Sequence, residues 1–197
     1  MKKSVLASSL CLSVAVLLTA CFIPEKFNAF IEVAPDASYD YRYSGTAVFA
    51  LAAAEIKQTG ALSPKIDEDL KAQAKAMTKD KSFRSAKYIG SGRYELVIEG
   101  KKKPGESLSL LEILSVQKDK DGIITISSPE LKDKKLSEIA SLGIKIDGTL
   151  DIKLPKNVEI ISQNATSTPS LFGMFGAYSW KIGKADQRPI MKFRLKS

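Results

Sequence analysis

Histidine is absent from this sequence, and 197 residues contain only two cysteines and one tryptophan. Without histidine, the commonest general base and the commonest transition-metal ligand are missing. Ser-His-Asp and Cys-His nucleophile systems are excluded, as is any His-ligated zinc site. Two cysteines cannot build a disulfide framework. Apolar runs are short: the longest, Val5 to Leu18, falls below the roughly 20 residues that span a bilayer as a helix. Internal repeats and low-complexity tracts are also lacking. What remains is ordinary globular material, 44% hydrophobic and 26% charged, which argues against disorder. The length fits one domain, or at most two small ones. Lysine and arginine outnumber aspartate and glutamate 30 to 22.

The N-terminus reads as an address. Lys2 and Lys3 precede the apolar stretch, which ends in Leu18-Thr19-Ala20-Cys21. This resembles a bacterial lipoprotein signal with its lipobox of Leu, a small residue, Ala and Cys. The resemblance implies cleavage before Cys21, a diacylglycerol thioether on its sulfur, and N-acylation. The alternative is an ordinary secretory peptide in which Cys21 is incidental. Lipidation would make Cys21 the membrane anchor, since two or three acyl chains hold stably where one does not. It would also leave no second cysteine for a disulfide. Removal of residues 1–20 leaves 28 basic residues against 22 acidic ones, a side-chain charge of +6. Phe22 follows the cysteine, and the family rule for a residue other than Asp implies the outer membrane, facing the periplasm, in a Gram-negative host. Residues 21–26 read as a short lipid-proximal spacer reaching roughly 17 Å when extended.

The body, 27–197, reads as a single α+β domain. Phe27, Ala29, Ile31 and Val33 alternate with other residues as in a strand that stops at Pro35-Asp36. Tyr39, Tyr41 and Tyr43 share one face of a second strand, hairpin-paired to the first, and a packing role suits them better than ligand binding. Gly45 to Gln58 reads as a helix with Val48, Leu51, Ala52 and Ile56 on one face and Gly60 as its stop. A second helix starts at Ser63-Pro64 and runs to about Met77, with Ile66, Leu70, Ala74 and Met77 inward. Strands are expected at 86–89, 93–99, 110–116 and 123–127, the last two joined at Asp121-Gly122. A short helix follows at about 136–142, then strands at 146–154, 158–162, 177–182 and 190–195. The fold class is α+β, a largely antiparallel β-sheet with two or three helices packed on it, preceded by a cleaved signal peptide.

One order of features stands out in the last third: Gly148-Thr149-Leu150-Asp151-Ile152-Lys153-Leu154-Pro155, then Asn164-Ala165, then Ser179-Trp180-Lys181-Ile182. Together with the early strand pair, the helical stretch and the Gly92-Arg93-Tyr94 strand, this order resembles the LppM-type bacterial lipoprotein domain. The resemblance implies a membrane-tethered envelope domain and brings no catalytic residues with it.

Few residues invite a site. Asp67, Glu68 and Asp69 point in three directions on a helix, so they serve the helix dipole better than a metal. Lys118-Asp119-Lys120-Asp121-Gly122 lacks the register of a calcium loop and reads as a hairpin turn. Lys101, Lys102 and Lys103 form one basic knot, and Lys132, Lys134 and Lys135 another. The first is the candidate membrane-facing patch, against the plainer reading of solubilising charge. Leu171, Phe172, Met174 and Phe175, punctuated by Gly173 and Gly176, form an apolar loop that is either folded back as a core plug or exposed to bind lipid or a partner.

These features point to a non-catalytic, lipid-anchored cell-envelope lipoprotein that binds a partner protein or an amphipathic ligand near the membrane surface. The alternatives are an envelope-acting hydrolase or a structural accessory of envelope assembly. A hydrolase would need a motif that is not there, such as a Ser-x-x-Lys box with its supporting sequences. No catalytic, metal or cofactor residues are expected. The expected partners are the membrane, through lipid on Cys21, and an envelope protein or lipid ligand. Nucleic acid is not among them.

Overall fold

In the computed structural model, residues 22–111, 113–170 and 176–196 are described. They form an α+β fold of two sheets and three helices. β1 (Phe22–Val33) and β2 (Tyr39–Phe49) are the expected antiparallel hairpin. The turn between them is fixed by Asp36, whose carboxylate accepts from both the backbone and the hydroxyl of Ser38. That pair of hydrogen bonds holds the Asp36 carboxyl below its usual range.

β1 begins at the first described residue. Residues 22–26, expected as a spacer, are the first part of this strand, with Phe22 and Ile23 buried. Pro24 is tolerated there because the neighbour on the other side, β8 (Asp147–Lys153), starts pairing only at Lys26. A bulge follows. Pro24 faces Ala47 and Phe27 faces Gly45, so Glu25 and Lys26 together oppose Thr46. The extra residue returns Phe22 and Pro24 to the face occupied by Phe27, Ala29, Ile31 and Val33. Gly45 is required opposite it, because a Cβ there would lie 2.2 Å from the Lys26 carbonyl oxygen.

The first sheet has the order β10-β8-β1-β2-β4-β3, with β3 (Phe83–Gly90), β4 (Arg93–Lys102) and β10 (Tyr178–Ile182). Its pairs are antiparallel except β1 with β8. One face is apolar throughout: Ile31, Tyr43, Leu96, Leu150, Ile152 and Trp180 are all buried. The three tyrosines of β2 pack there as expected. The opposite face carries polar pairs such as Arg42 and Arg84 on Glu99, and Lys153 on Glu32. This alternation is what an antiparallel sheet with one wet face requires.

The apolar face is covered by two things. α2 (Pro64–Met77) covers the β3–β4 side, where the Tyr94 hydroxyl donates to the Leu70 carbonyl. Ser63 caps this helix by accepting from the Ile66 N–H, and Pro64 opens it, as its sequence predicts. The rest of the face meets a second sheet, where the sequence suggested only one. Its order is β5-β6-β7-β11-β9, with β5 (Leu108–Leu110), β6 (Leu114–Lys118), β7 (Ile124–Ser127), β9 (Val158–Gln163) and β11 (Ile190–Leu195). The expected strand at 110–116 is interrupted by a turn in which Leu111 has φ 47°.

Two helices differ from expectation. α1 (Ala50–Thr59) starts five residues later than the alanine-rich run suggested, because Thr46, Ala47 and Val48 find ladder partners on β4. Tertiary pairing overrides helix propensity there. Leu51, expected inward, is 63% exposed. α1 ends at Gly60 in the left-handed conformation, as expected. α3 (Asp133–Ser141) buries a single side chain, Ile139, which joins Ile23, Val48 and Ile144 in a small satellite cluster.

Candidate functional site

A cavity of about 250 Å³ lies at the end of the molecule where β1 begins. The first sheet contributes Phe22, Pro24, Phe27, Ala29, Leu150 and Ile182. Leu111, Ile113 and Leu114 of the β5–β6 turn form the facing wall. The start of α1 and the α3 segment, with Leu51, Leu131, Lys135 and Ile139, close the rim. The lining is predominantly apolar, and among the described residues its only charged members are Lys135 and Lys184.

The local sequence explains why space remains here. Phe27 lies over Gly148, where a Cβ would stand 2.3 Å from the ring, and its other face stacks on Tyr43 with centroids 5.7 Å apart. Phe22 is drawn the other way, edge-on to Tyr94 at 5.2 Å. The two aromatic rings are thus committed to neighbours within their own sheet. Small Ala29 and the turn at Leu111 leave the gap between the layers unfilled. The cavity belongs to a class that suits ligands: concave, mostly apolar, with a few polar groups at its edge.

Buried tyrosines flank this region without offering chemistry. Burial pushes the Tyr43 and Tyr94 hydroxyls far above the ordinary phenol range. Burial also pushes Tyr39 up to about 12. Their protons are occupied in structural hydrogen bonds, to the carbonyls of Thr46, Leu70 and Glu106 respectively. Among the described residues, no three His, Cys, Asp or Glu side chains gather as a metal site would need, and no helix is long and apolar enough to cross a membrane. Asp67 of the acidic run pairs with Lys71 at 2.7 Å and accepts from the Tyr88 hydroxyl. These two partners hold its carboxyl below the usual range.

The residues singled out by sequence fall in different places. Cys21, the signal segment 1–20, and Leu171, Phe172, Met174 and Phe175 lie outside the described residues. Lys101 and Lys102 end β4, opposite Asp40 and Tyr39, and Lys103 opens the turn that follows. Tyr39 in turn pairs with Val33, the last residue of β1. The knot therefore stands a full strand away from Phe22, roughly 35 Å at ~3.3 Å per residue. A lipid on Cys21 would hold the Phe22 end at the bilayer and turn Lys101, Lys102 and Lys103 away from it. The second knot, Lys132, Lys134 and Lys135, stands at the Phe22 end, with Lys135 in the cavity wall.

Sequence reasoning missed the cavity itself. Its walls come from segments spread between positions 22 and 187, and most of these residues read as plain core. The one usable signal was the pairing of a short amphipathic helix, α3, with an adjacent lysine cluster.

The chain matches no protein-family model and no curated protein sequence. Among solved structures it is similar to the folded domain of the Mycobacterium tuberculosis protein LppM, determined by NMR, at 12% identity and a TM-score of 0.43. The alignment covers 88% of this chain and 91% of that one. The likeness is weak in structure and slight in sequence. It assigns no ligand or activity to this chain.

Proposed function

We propose that this chain is a lipid-anchored, non-catalytic envelope lipoprotein that takes the apolar part of an amphipathic ligand into the cavity at its anchored end. In a Gram-negative host its place is the outer membrane, facing the periplasm. The observation that carries this reading is positional. The apolar cavity is lined by Phe22, the residue next to the lipobox cysteine, and its rim includes exposed Leu51. A tether at Cys21 holds that mouth within a few ångströms of the lipid surface. Because β1 starts at Phe22, no flexible stalk intervenes. Partner-protein binding and an accessory role in envelope assembly draw on no comparable feature of the described residues.

The test uses the mature chain carrying Cys21→Ser, titrated with the uncharged fluorophore N-phenyl-1-naphthylamine. Saturable binding is expected, and Ala29→Phe, which fills the cavity from the strand floor, should abolish it. An absence of saturable binding overturns the reading, and so does binding that survives Ala29→Phe in a folded variant. The anchor is tested separately. Cys21→Ser should move the protein from the membrane fraction to the soluble fraction of its host, and retention in the membrane fraction sinks the tether.

A further inference from the structure

We infer that the cavity selects a single-chain amphiphile with an anionic head. This rests on the reading that the cavity accepts an apolar chain, and it adds the chemistry of the other end of the ligand. Three observations carry it.

The first is size. At about 250 Å³ the cavity holds roughly eight methylenes, taking each as about the ~30 Å³ share of a small molecule such as water. That is one chain, partly inserted. A two-chain phospholipid would leave one chain outside.

The second is charge. Among the described residues that line the cavity, the charged ones are Lys135 and Lys184. A purely apolar ligand has no use for two ammonium groups at the rim, and a cationic head would be repelled by both. Lys135 has a loose contact with Glu138 at 3.7 Å, with both side chains about half exposed. Lys184 makes no ion pair among the described residues. Asp186 and Asp147 line a neighbouring cavity on the other side of Ile139 together with Lys145 and Lys184. That second group carries as many cations as anions.

The third is the start of α3. Its N-cap, Lys132, provides no side-chain acceptor for the first-turn N–H groups. Leu131 and Lys135, on either side of that turn, both line the cavity. An anionic head placed between Lys135 and Lys184 would also meet the positive end of the helix. The arrangement fits a carboxylate, sulfate or phosphate on a chain of eight to ten carbons buried and any remainder exposed.

The experiment is a competition on the mature Cys21→Ser chain with N-phenyl-1-naphthylamine bound. Decyl sulfate, decanoate, decyl maltoside and decyltrimethylammonium are added below their micelle thresholds. Decyl sulfate and decanoate should displace the probe at concentrations at least tenfold lower than decyltrimethylammonium, with the maltoside between. The double variant Lys135→Gln, Lys184→Gln should lose the preference, read within that variant as the ratio of displacement by decyl sulfate to displacement by decyl maltoside. Equal displacement by all four overturns the anionic-head inference and leaves the cavity reading intact. An undiminished preference in the double variant overturns the assignment to these two lysines. Failure of the probe to bind at all overturns the cavity reading and this inference with it.

Discussion

The two ends of the sandwich are built from the same pair of sheets and are finished differently. Around Val33, Ala37 and Tyr39 the layers close on Val116 and Ile124 with a gap of only about 10 Å³, and the Tyr39 hydroxyl reaches the Glu106 carbonyl at 2.8 Å. Around Phe22 and Ala29 the same layers part over about 250 Å³. At the closed end β1 and β2 are joined by a tight turn and β-branched or aromatic residues meet across the layers. At the open end a bulge, Gly45 and Gly148 divert Phe27 into its own sheet, and α3 rests on one buried isoleucine. Protein interiors otherwise fill space to crystal-like density, so a gap of this size at one end only is a property of the design of that end. Maximal stability would fill it. The proposed binding function falls where packing is incomplete, and the stabilising contacts fall where it is complete.

The comparison breaks most readily by core truncation. Ile152→Ala, in the fully buried part of β8, should cost about 2–5 kcal/mol in urea unfolding. Ile146→Ala, on the cavity wall and only partly buried, should cost less than half of that, because the space it leaves joins space already present. Equal losses would mean that the open end is packed as tightly as the closed one in solution.

The lysine knots sharpen it next. On vesicles containing anionic lipid, Lys132→Gln, Lys134→Gln and Lys135→Gln together should weaken binding of the Cys21→Ser chain by up to about 3 kcal/mol, at ~1 kcal/mol per lysine near the surface. The triple variant of Lys101, Lys102 and Lys103 should bind as the parent does. The reverse result would turn the molecule over on the membrane and separate the cavity from the bilayer.

How much of this could be read from the sequence follows the same division. The closed end was legible because alternation is a local signal: Phe27 to Val33 and Tyr39 to Tyr43 declare their strands and their faces. α2 was legible from Ser63, Pro64 and the spacing of Leu70 and Ala74. The open end was not. Whether Thr46 to Val48 continue a strand or begin a helix depends on β4, some 50 residues away, which offers them a ladder. The bulge that makes 22–26 part of β1 depends on Gly45. The division of the later strands into a second sheet depends on pairings such as β11 with β7 that no local pattern specifies. The site is assembled from these non-local choices. Of the rim residues, the sequence singled out Lys135 within a basic knot and gave no sign of Lys184.

Volume tests the comparison at a smaller scale. Ala47→Leu, at a fully buried position of β2 outside the cavity lining, should destabilise by about 1–3 kcal/mol through overpacking. Ala29→Leu places the same added volume on the cavity floor and should leave the free energy of unfolding within about 0.5 kcal/mol of the parent. A matching loss at Ala29 would show that the cavity cannot take even an isobutyl group, and a ligand chain would then be excluded as well.

Acid provides the smallest effect and a directional one. The carboxyls of Asp36, Asp80 and Glu99 are held below their usual ranges, Asp36 and Asp80 by hydrogen bonds from Ser38 and Ser82, Glu99 by Arg42 and Arg84. A depressed folded-state value means that the stabilisation is fully present above the ordinary carboxylate range and is lost as pH falls through it and below. Asp36 and Glu99 lie toward the closed end, whereas at the open end Asp67 alone is depressed, by Lys71 and Tyr88. Acidification below about pH 4 should therefore reduce amide protection in the Ala34–Ser38 turn and at the Glu99 region of β4 before it reduces protection around Phe22 and Tyr94. These groups are exposed and their pairs are screened, so raising the salt concentration should shrink the difference. Glu99→Gln should remove part of the acid slope at the closed end and leave the open end unchanged. Uniform loss of protection along both ends would show that acid acts on the whole sandwich cooperatively, and that the closed end has no separate electrostatic support.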